Sequence, residues 1–289
     1  MSLAITPYTR LLFFEGQPIP NGLFAKWIKS EKSTLPRDSH PPPIDIRHDS
    51  TGDMEIRKLL YRGHSAEQLC WRIQRYAGRR GINLTSSQAA VTTRFQEAHD
   101  NAMNLPGDLS DHDSILLEYF NVFNSAFFLG ALCFCKLRFE WQENYIQGSC
   151  TSGAHADRNF IPYNFACLIR IRPRTGEIPD RELLLKAYIE VLLHEMLHAW
   201  FSLYACKCYL CIDQSRAYIG RTSSHGEGWQ LAALAIEQAT EPLLGIRLKI
   251  GRGESMVAEH GRNYRVILGN EKLVELGHGE SCDCGFCAR

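Results

Sequence analysis

Two histidines and a glutamate stand in Val191-Leu-Leu-His194-Glu195-Met-Leu-His198-Ala-Trp200 at a spacing that suits one metal ion. On a helix, residues four apart leave the same face one turn apart, so both imidazoles can grip a single cation. Glu195 sits between them, beside that cation and free to take a proton from activated water. The flanking residues are Leu, Ile, Val, Ala and Trp, so the helix is expected to be buried on most sides. Two imidazoles and a carboxylate on a buried helix need a counter-group, and a metal supplies one. The pattern predicts zinc.

A third ligand has to come from elsewhere, leaving one position for water. A metzincin would carry histidine at position 204 and glycine at position 201. The residues there are Tyr204 and Phe201, which excludes that class. A gluzincin would draw a carboxylate from a following helix, and Glu227 or Glu237 could serve. His225 is the better candidate: it stands in Ser223-Ser-His225-Gly-Glu-Gly-Trp229, at the mouth of a helix, and Gly226 lets the backbone approach closely. Asp213, His260 and His278 are further options.

Cysteines form the other constellation. Cys206-x-Cys208-x-x-Cys211 follows the motif helix, and Cys282-x-Cys284-x-x-Cys287 near the end of the sequence repeats its spacing. Thiolates this close favour a soft metal, and two knuckles from distant points are how structural zinc ties a segment to a domain. Six thiolates exceed one tetrahedral site, so either two stay free or two ions share bridging sulfurs. Disulfides and ordinary thiols are the competing readings. Cys70, Cys133, Cys135, Cys150 and Cys167 sit in apolar contexts and read as core residues. The total of eleven is odd, so the cysteines cannot all pair internally.

The elements that must position these residues read as follows. Residues 1–53 resemble an arm, partly disordered, with Pro36, Pro41, Pro42 and Pro43 among polar residues. A helical extension over 54–107 follows. Ser65-x-x-Gln68 is a capping box opening one helix that Gly78 or Gly81 closes, and Ser86 or Ser87 starts a second, stopped at Leu105-Pro106-Gly107. Arg72, Arg75, Arg79 and Arg80 cluster on the first; a solvated face explains them better than a nucleic-acid patch.

The domain over 108–289 begins with an apolar helix from about Asp111 to Leu129. Strand-like runs follow at Leu132–Trp141, Tyr145–Cys150 and Ala166–Arg172. Asp180 caps the motif helix, which runs to about Tyr204. Ser224-x-x-Glu227 reads as another capping box, and Ile246–Ile250 and Tyr264–Leu268 read as short strands. The order predicts an α+β fold, with a small sheet packed on the motif helix and an N-terminal helical extension.

Composition sets outer bounds. An apolar fraction of 45% supports a packed core, and a net charge of zero gives no bulk electrostatic argument for nucleic acid or an acidic membrane. No basic n-region precedes a long apolar run, and no window approaches the roughly 18 apolar residues of a membrane helix. A soluble, intracellular protein is expected.

The segment His194-Glu-Met-Leu-His198-Ala, followed by His225-Gly, resembles the SprT-like family of zinc metallopeptidases. Phe123-Asn-x-x-Phe127-Phe128-x-Gly130-x-Leu132, ending at Trp141, is similar to that family's opening helix and first strand, as is Cys167–Ile171 ahead of the motif helix. The resemblance spans about Leu109 to Thr240. It implies a zincin-like metallopeptidase domain, with His194, His198 and His225 as zinc ligands and Glu195 as general base. It also implies protein substrates, and proteolysis associated with DNA or chromatin in the nucleus, since the family's best-known members cleave proteins crosslinked to DNA. This chain departs from the family in a longer loop between His198 and His225, which carries the cysteine cluster, and in having no recognisable ubiquitin- or clamp-binding segment. The rival expectations are a zinc hydrolase acting on a non-peptide bond and a non-catalytic DNA-associated module whose zinc is structural.

Overall fold

The computed structural model describes residues 59, 62–132, 135–141, 147–152, 167–174, 176–261 and 264–277. The arm over 1–53, Cys133, His278 and the cysteines Cys282, Cys284 and Cys287 lie outside the described residues.

Helix α1, Ala66–Ala77, opens with the expected capping box. The Ser65 hydroxyl accepts from the Gln68 N–H at 3.2 Å, and the Gln68 side chain accepts from the Ser65 N–H at 3.1 Å. Gly78 ends it. The second predicted helix divides into α2, Ser86–Ala89, capped by Thr85 rather than by a serine, and α3, Val91–Asn104. Just before the break, the buried Gln88 amide donates to the carbonyls of Tyr76 and Ala126, tying α2 to α1 and to the next helix. That helix is α4, Asp113–Phe127, whose apolar residues cover most of its surface.

Among the described residues the sheet has three strands, β1 Cys135–Phe139, β2 Gly148–Ser152 and β3 Cys167–Ile171, in the order β1-β3-β2. β1 runs parallel to β3, with Cys135 opposite Cys167. β2 runs antiparallel to β3, with Gly148 opposite Ile171; Tyr145, expected to open it, lies outside the described residues. Among the described residues β2 is therefore an edge strand, and it lies against the motif helix.

That helix is α5, Arg181–Tyr204, capped by the Asp180 carboxylate at the Leu183 N–H, 2.8 Å away. It is apolar nearly all round because it has neighbours nearly all round: β2, β3 and α4 among them. Trp200, fully buried, donates to the Leu69 carbonyl and packs on Phe128. One continuous core runs from Leu59 to Ile250, so the helices of the N-terminal extension share it with α5. Full burial of side chains of this size contributes roughly 1.5–3 kcal/mol each.

After α5 the chain forms α6, Ile212–Ile219, a helix in what reads from sequence as loop. Then come α7 Glu227–Leu244, α8 Arg252–His260 and α9 Tyr264–Glu275. Three expectations are corrected here. Helix α7 starts at Gly226 with no side-chain cap, because Ser224 adopts a left-handed conformation (φ 62°) that turns the chain one step before His225. Residues Ile246–Ile250 are not a strand: the N–H groups of Leu248, Lys249 and Ile250 donate instead to the side chains of Thr240, Glu190 and Glu237. Tyr264–Leu268 is helical, part of a helix whose Leu268 and Leu273, with Leu276 just beyond its end, pack around Met256. The architecture is α+β, helices around a small sheet. Among the described residues no helix is long and apolar enough to cross a membrane.

Candidate metal centre

The three expected histidines meet. His194 and His198 leave one face of α5, and His225 reaches them from the N-terminus of α7. Their Nε2 atoms stand 3.1 Å (His194–His198), 2.9 Å (His198–His225) and 3.0 Å (His225–His194) apart. A tetrahedral zinc with Zn–N near 2.0–2.1 Å would space its ligand nitrogens by roughly 3.3 Å, so the triangle is close to the size such an ion requires.

The far sides of the rings settle which nitrogen carries the proton. His194 Nδ1 lies 2.8 Å from the Ile250 carbonyl, which can only accept, so this nitrogen is the protonated one and Nε2 presents a lone pair inward. His225 Nδ1 lies 2.8 Å from Ser223 Oγ, whose own proton goes to Glu259, so the same tautomer follows. Lone pairs converging on one point repel unless a cation lies between them. Burial holds His194 down to about 4. Burial and then the charge of His194 hold His225 down to about 3, and burial sets His198 well below the usual range. The three imidazoles are therefore neutral at ordinary pH, the state in which they bind metal.

Several supports were not legible from spacing. Trp229, one turn beyond His225, faces all three rings, with centroids 4.8, 5.7 and 4.6 Å from those of His194, His198 and His225. Glu237 and Glu190 hold the 248–250 segment so that the Ile250 carbonyl meets His194. Gly226 does bring backbones together, as its sequence position suggests, and the partner is Gly220. A Cβ on Gly220 would stand 2.5 Å from the His225 nitrogen, at a φ of 125° that other residues rarely adopt. This contact seats the end of α6 against His225.

Glu195 is 5% exposed, and no hydrogen bond from a described residue reaches its carboxylate. Burial first, and the charge of Cys167 second, push it up to about 8. It borders a cleft of about 1580 Å³, lined also by the three histidines, by Gln147, and by Gly148 and Ser149 of β2. Ligand pockets for small molecules span roughly 300–1,000 Å³. This cleft has room for a stretch of polymer.

The other candidates go elsewhere. Glu227 pairs with Lys272 at 2.5 Å. Glu237 accepts from the Ile250 N–H and pairs with Arg252. Asp213 and His260 are not part of the histidine group. Cys206, Cys208 and Cys211 come together as a second group able to hold a metal ion. Cys135, Cys150 and Cys167 sit on the three strands, with the Cys150 and Cys167 sulfurs 2.8 Å apart. In the arginine cluster, Arg72 is buried, Arg75 and Arg79 lie over the rings of Trp71 and Tyr76, and Arg80 donates to the carbonyls of Ala77 and Arg79. Comparison with protein-family models, curated proteins and solved structures returns no match for this chain.

Proposed function

We propose that the chain is a zinc-dependent endopeptidase of the SprT-like kind, with a zincin-like domain. The observation that carries this reading is the convergence of three histidine Nε2 atoms beside one uncommitted buried carboxylate, at the wall of a large cleft. His194, His198 and His225 would hold the ion. Bound there, zinc supplies Lewis acidity, acidifying water and polarising a carbonyl.

The chain's own groups do the remaining work. Glu195, adjacent to His194 in sequence and facing the cleft, takes the proton of the attacking water on its carboxylate and returns it to the leaving amine. Burial keeps that carboxylate a strong enough base for the first step and a good enough acid for the second. The β2 edge offers N–H and C=O groups at Gly148–Ser152 that can hold an extended peptide as an added strand across the cleft. This favours protein over small substrates. Hydrogen bonds behind His194 and His225, and the Trp229 ring behind all three imidazoles, fix the ligand geometry before metal or substrate arrives.

The test is cleavage of an unfolded protein by the full chain, with zinc, with a chelator, and with Glu195→Gln. The expected result is cleavage abolished by the chelator, and lowered about 10²–10⁴-fold by the substitution while metal is retained. Cleavage indifferent to both would overturn the reading. Repeating the assay on a DNA-binding protein, with and without single-stranded DNA, decides whether the peptidase is DNA-stimulated.

A further inference from the structure

The motif Cys206-x-Cys208-x-x-Cys211 has no part in the chemistry proposed for the histidines, yet its geometry is that of a binding site. The three sulfurs lie within 4.8 Å of one another. Thiolates around a tetrahedral zinc at about 2.3 Å stand roughly 3.8 Å apart, so little movement separates this arrangement from a ligand set. The backbone supports it. Cys206 is anchored where α5 ends, its N–H donating to the His64 carbonyl at 2.8 Å. Cys211 is the cap residue of α6. Between them the Cys208 carbonyl accepts from the N–H groups of Cys211 and Ile212, closing a tight turn.

Packing does not account for this turn. Tyr209 and Leu210 at its tip are 67% and 47% exposed, and of the residues from 206 to 211 only Cys206 is buried. A compact turn anchored in the core at Cys206 alone, with three converging thiols, implies a tie of another kind.

We propose that Cys206, Cys208 and Cys211 bind a second metal ion, a thiophilic divalent cation of the zinc type, which clasps the end of α5 to the start of α6. Three thiolates leave one tetrahedral position for a further donor. The clasp sits on the connection between the two ligand-bearing helices. Helix α6 spans roughly 12 Å from it to Gly220, which packs against His225. The clasp therefore fixes one end of the rod whose other end seats the third histidine.

The experiment is cobalt substitution of the full-length chain. Thiolate ligands give bound cobalt an intense sulfur-to-metal charge-transfer absorption; histidine ligands do not. The band is expected in the wild type and in His194→Ala/His198→Ala, which separates this site from the peptidase reading. It should be lost in Cys208→Ser/Cys211→Ser and kept in Cys282→Ser/Cys284→Ser/Cys287→Ser. Cys208 and Cys211 are half-buried, so serine is tolerated there; should the double variant not fold, Cys208→Ser alone carries the same expectation. A band that survives both cysteine 208 variants, a band that vanishes with the tail variant alone, or a native disulfide among the three thiols by intact mass would overturn the proposal.

Discussion

Glu259 holds His225 in place without touching its ring. The carboxylate on α8 accepts from the N–H groups of Arg221 (2.7 Å), Thr222 (3.1 Å), Ser223 (2.8 Å) and His225 (3.3 Å), and from the Ser223 hydroxyl (3.0 Å). Ser223 Oγ in turn accepts from His225 Nδ1. One carboxylate thus folds the turn ahead of α7 and, through the serine, sets the tautomer of His225. Partners of this kind typically contribute 10–100-fold to metal affinity when removed. Glu259→Ala is therefore expected to weaken binding at the histidine site by about that factor. Competition against a chromophoric chelator measures it, with circular dichroism unchanged because α8 keeps its apolar contacts. Equal affinity in the variant would remove Glu259 from the positioning role.

The same carboxylate gives the turn a pH dependence. Burial alone would raise its pKa, but the hydrogen bonds from Ser223, Thr222 and Arg221 outweigh burial and hold it down to about 2, against an ordinary value of 4.5. A depressed carboxylate contributes stability that is fully present above the unfolded value and lost as pH falls through the folded one. Amide-exchange protection at Arg221, Thr222 and Ser223 should thus persist at pH 5 and be lost as pH falls from about 4.5 toward 2. In Glu259→Gln, protection at these amides should be weaker at pH 5 and flat across that window. Identical profiles for the two proteins would show that the carboxylate charge does not hold the turn.

What the sequence revealed and what it hid divide along physical lines. The motif helix, its Asp180 cap and the Ser65 capping box were legible because each depends on residues three or four apart. His225 was legible because a histidine before glycine at a helix mouth is a local pattern. Helix α6 was hidden, since polar residues and cysteines disguise a short helix that owes its place to Gly220 and Gly226. Glu259 was hidden because its partners lie some three dozen residues earlier, with nothing local to mark it. Tyr264–Leu268 misled for a related reason: a β-prone stretch took helical form once its leucines could pack on Met256.

The edge strand and the motif helix touch at Gly148. A Cβ there would lie 2.5 Å from Val191 Cγ1 and 2.9 Å from both Cγ and Oε1 of Glu195. No real Cβ tolerates such contacts, so Gly148→Ala must push β2 off α5 or swing the Glu195 side chain. Overpacking of this sort costs about 1–3 kcal/mol. Urea unfolding should register that loss, and proteolysis should fall with it, chiefly in the rate of turnover. A variant as stable and active as the wild type would place Glu195 and β2 further apart than they stand here.

Trp229 presents a test in which stability and binding should separate. Its ring backs all three imidazoles, yet its buried indole N–H has no hydrogen-bond partner among the described residues. An orphaned buried donor costs about 1–3 kcal/mol. Trp229→Phe removes that donor and opens a void whose cost is of similar size and opposite sign, so net stability should change by no more than about 1 kcal/mol. Phenylalanine is too short to back the three rings at once. The imidazoles then lose the surface that fixes their planes, and metal affinity should fall several-fold while the melting temperature of the metal-free protein barely moves. A variant that loses stability and keeps affinity would make Trp229 an ordinary core residue; the opposite outcome identifies it as the floor of the metal centre.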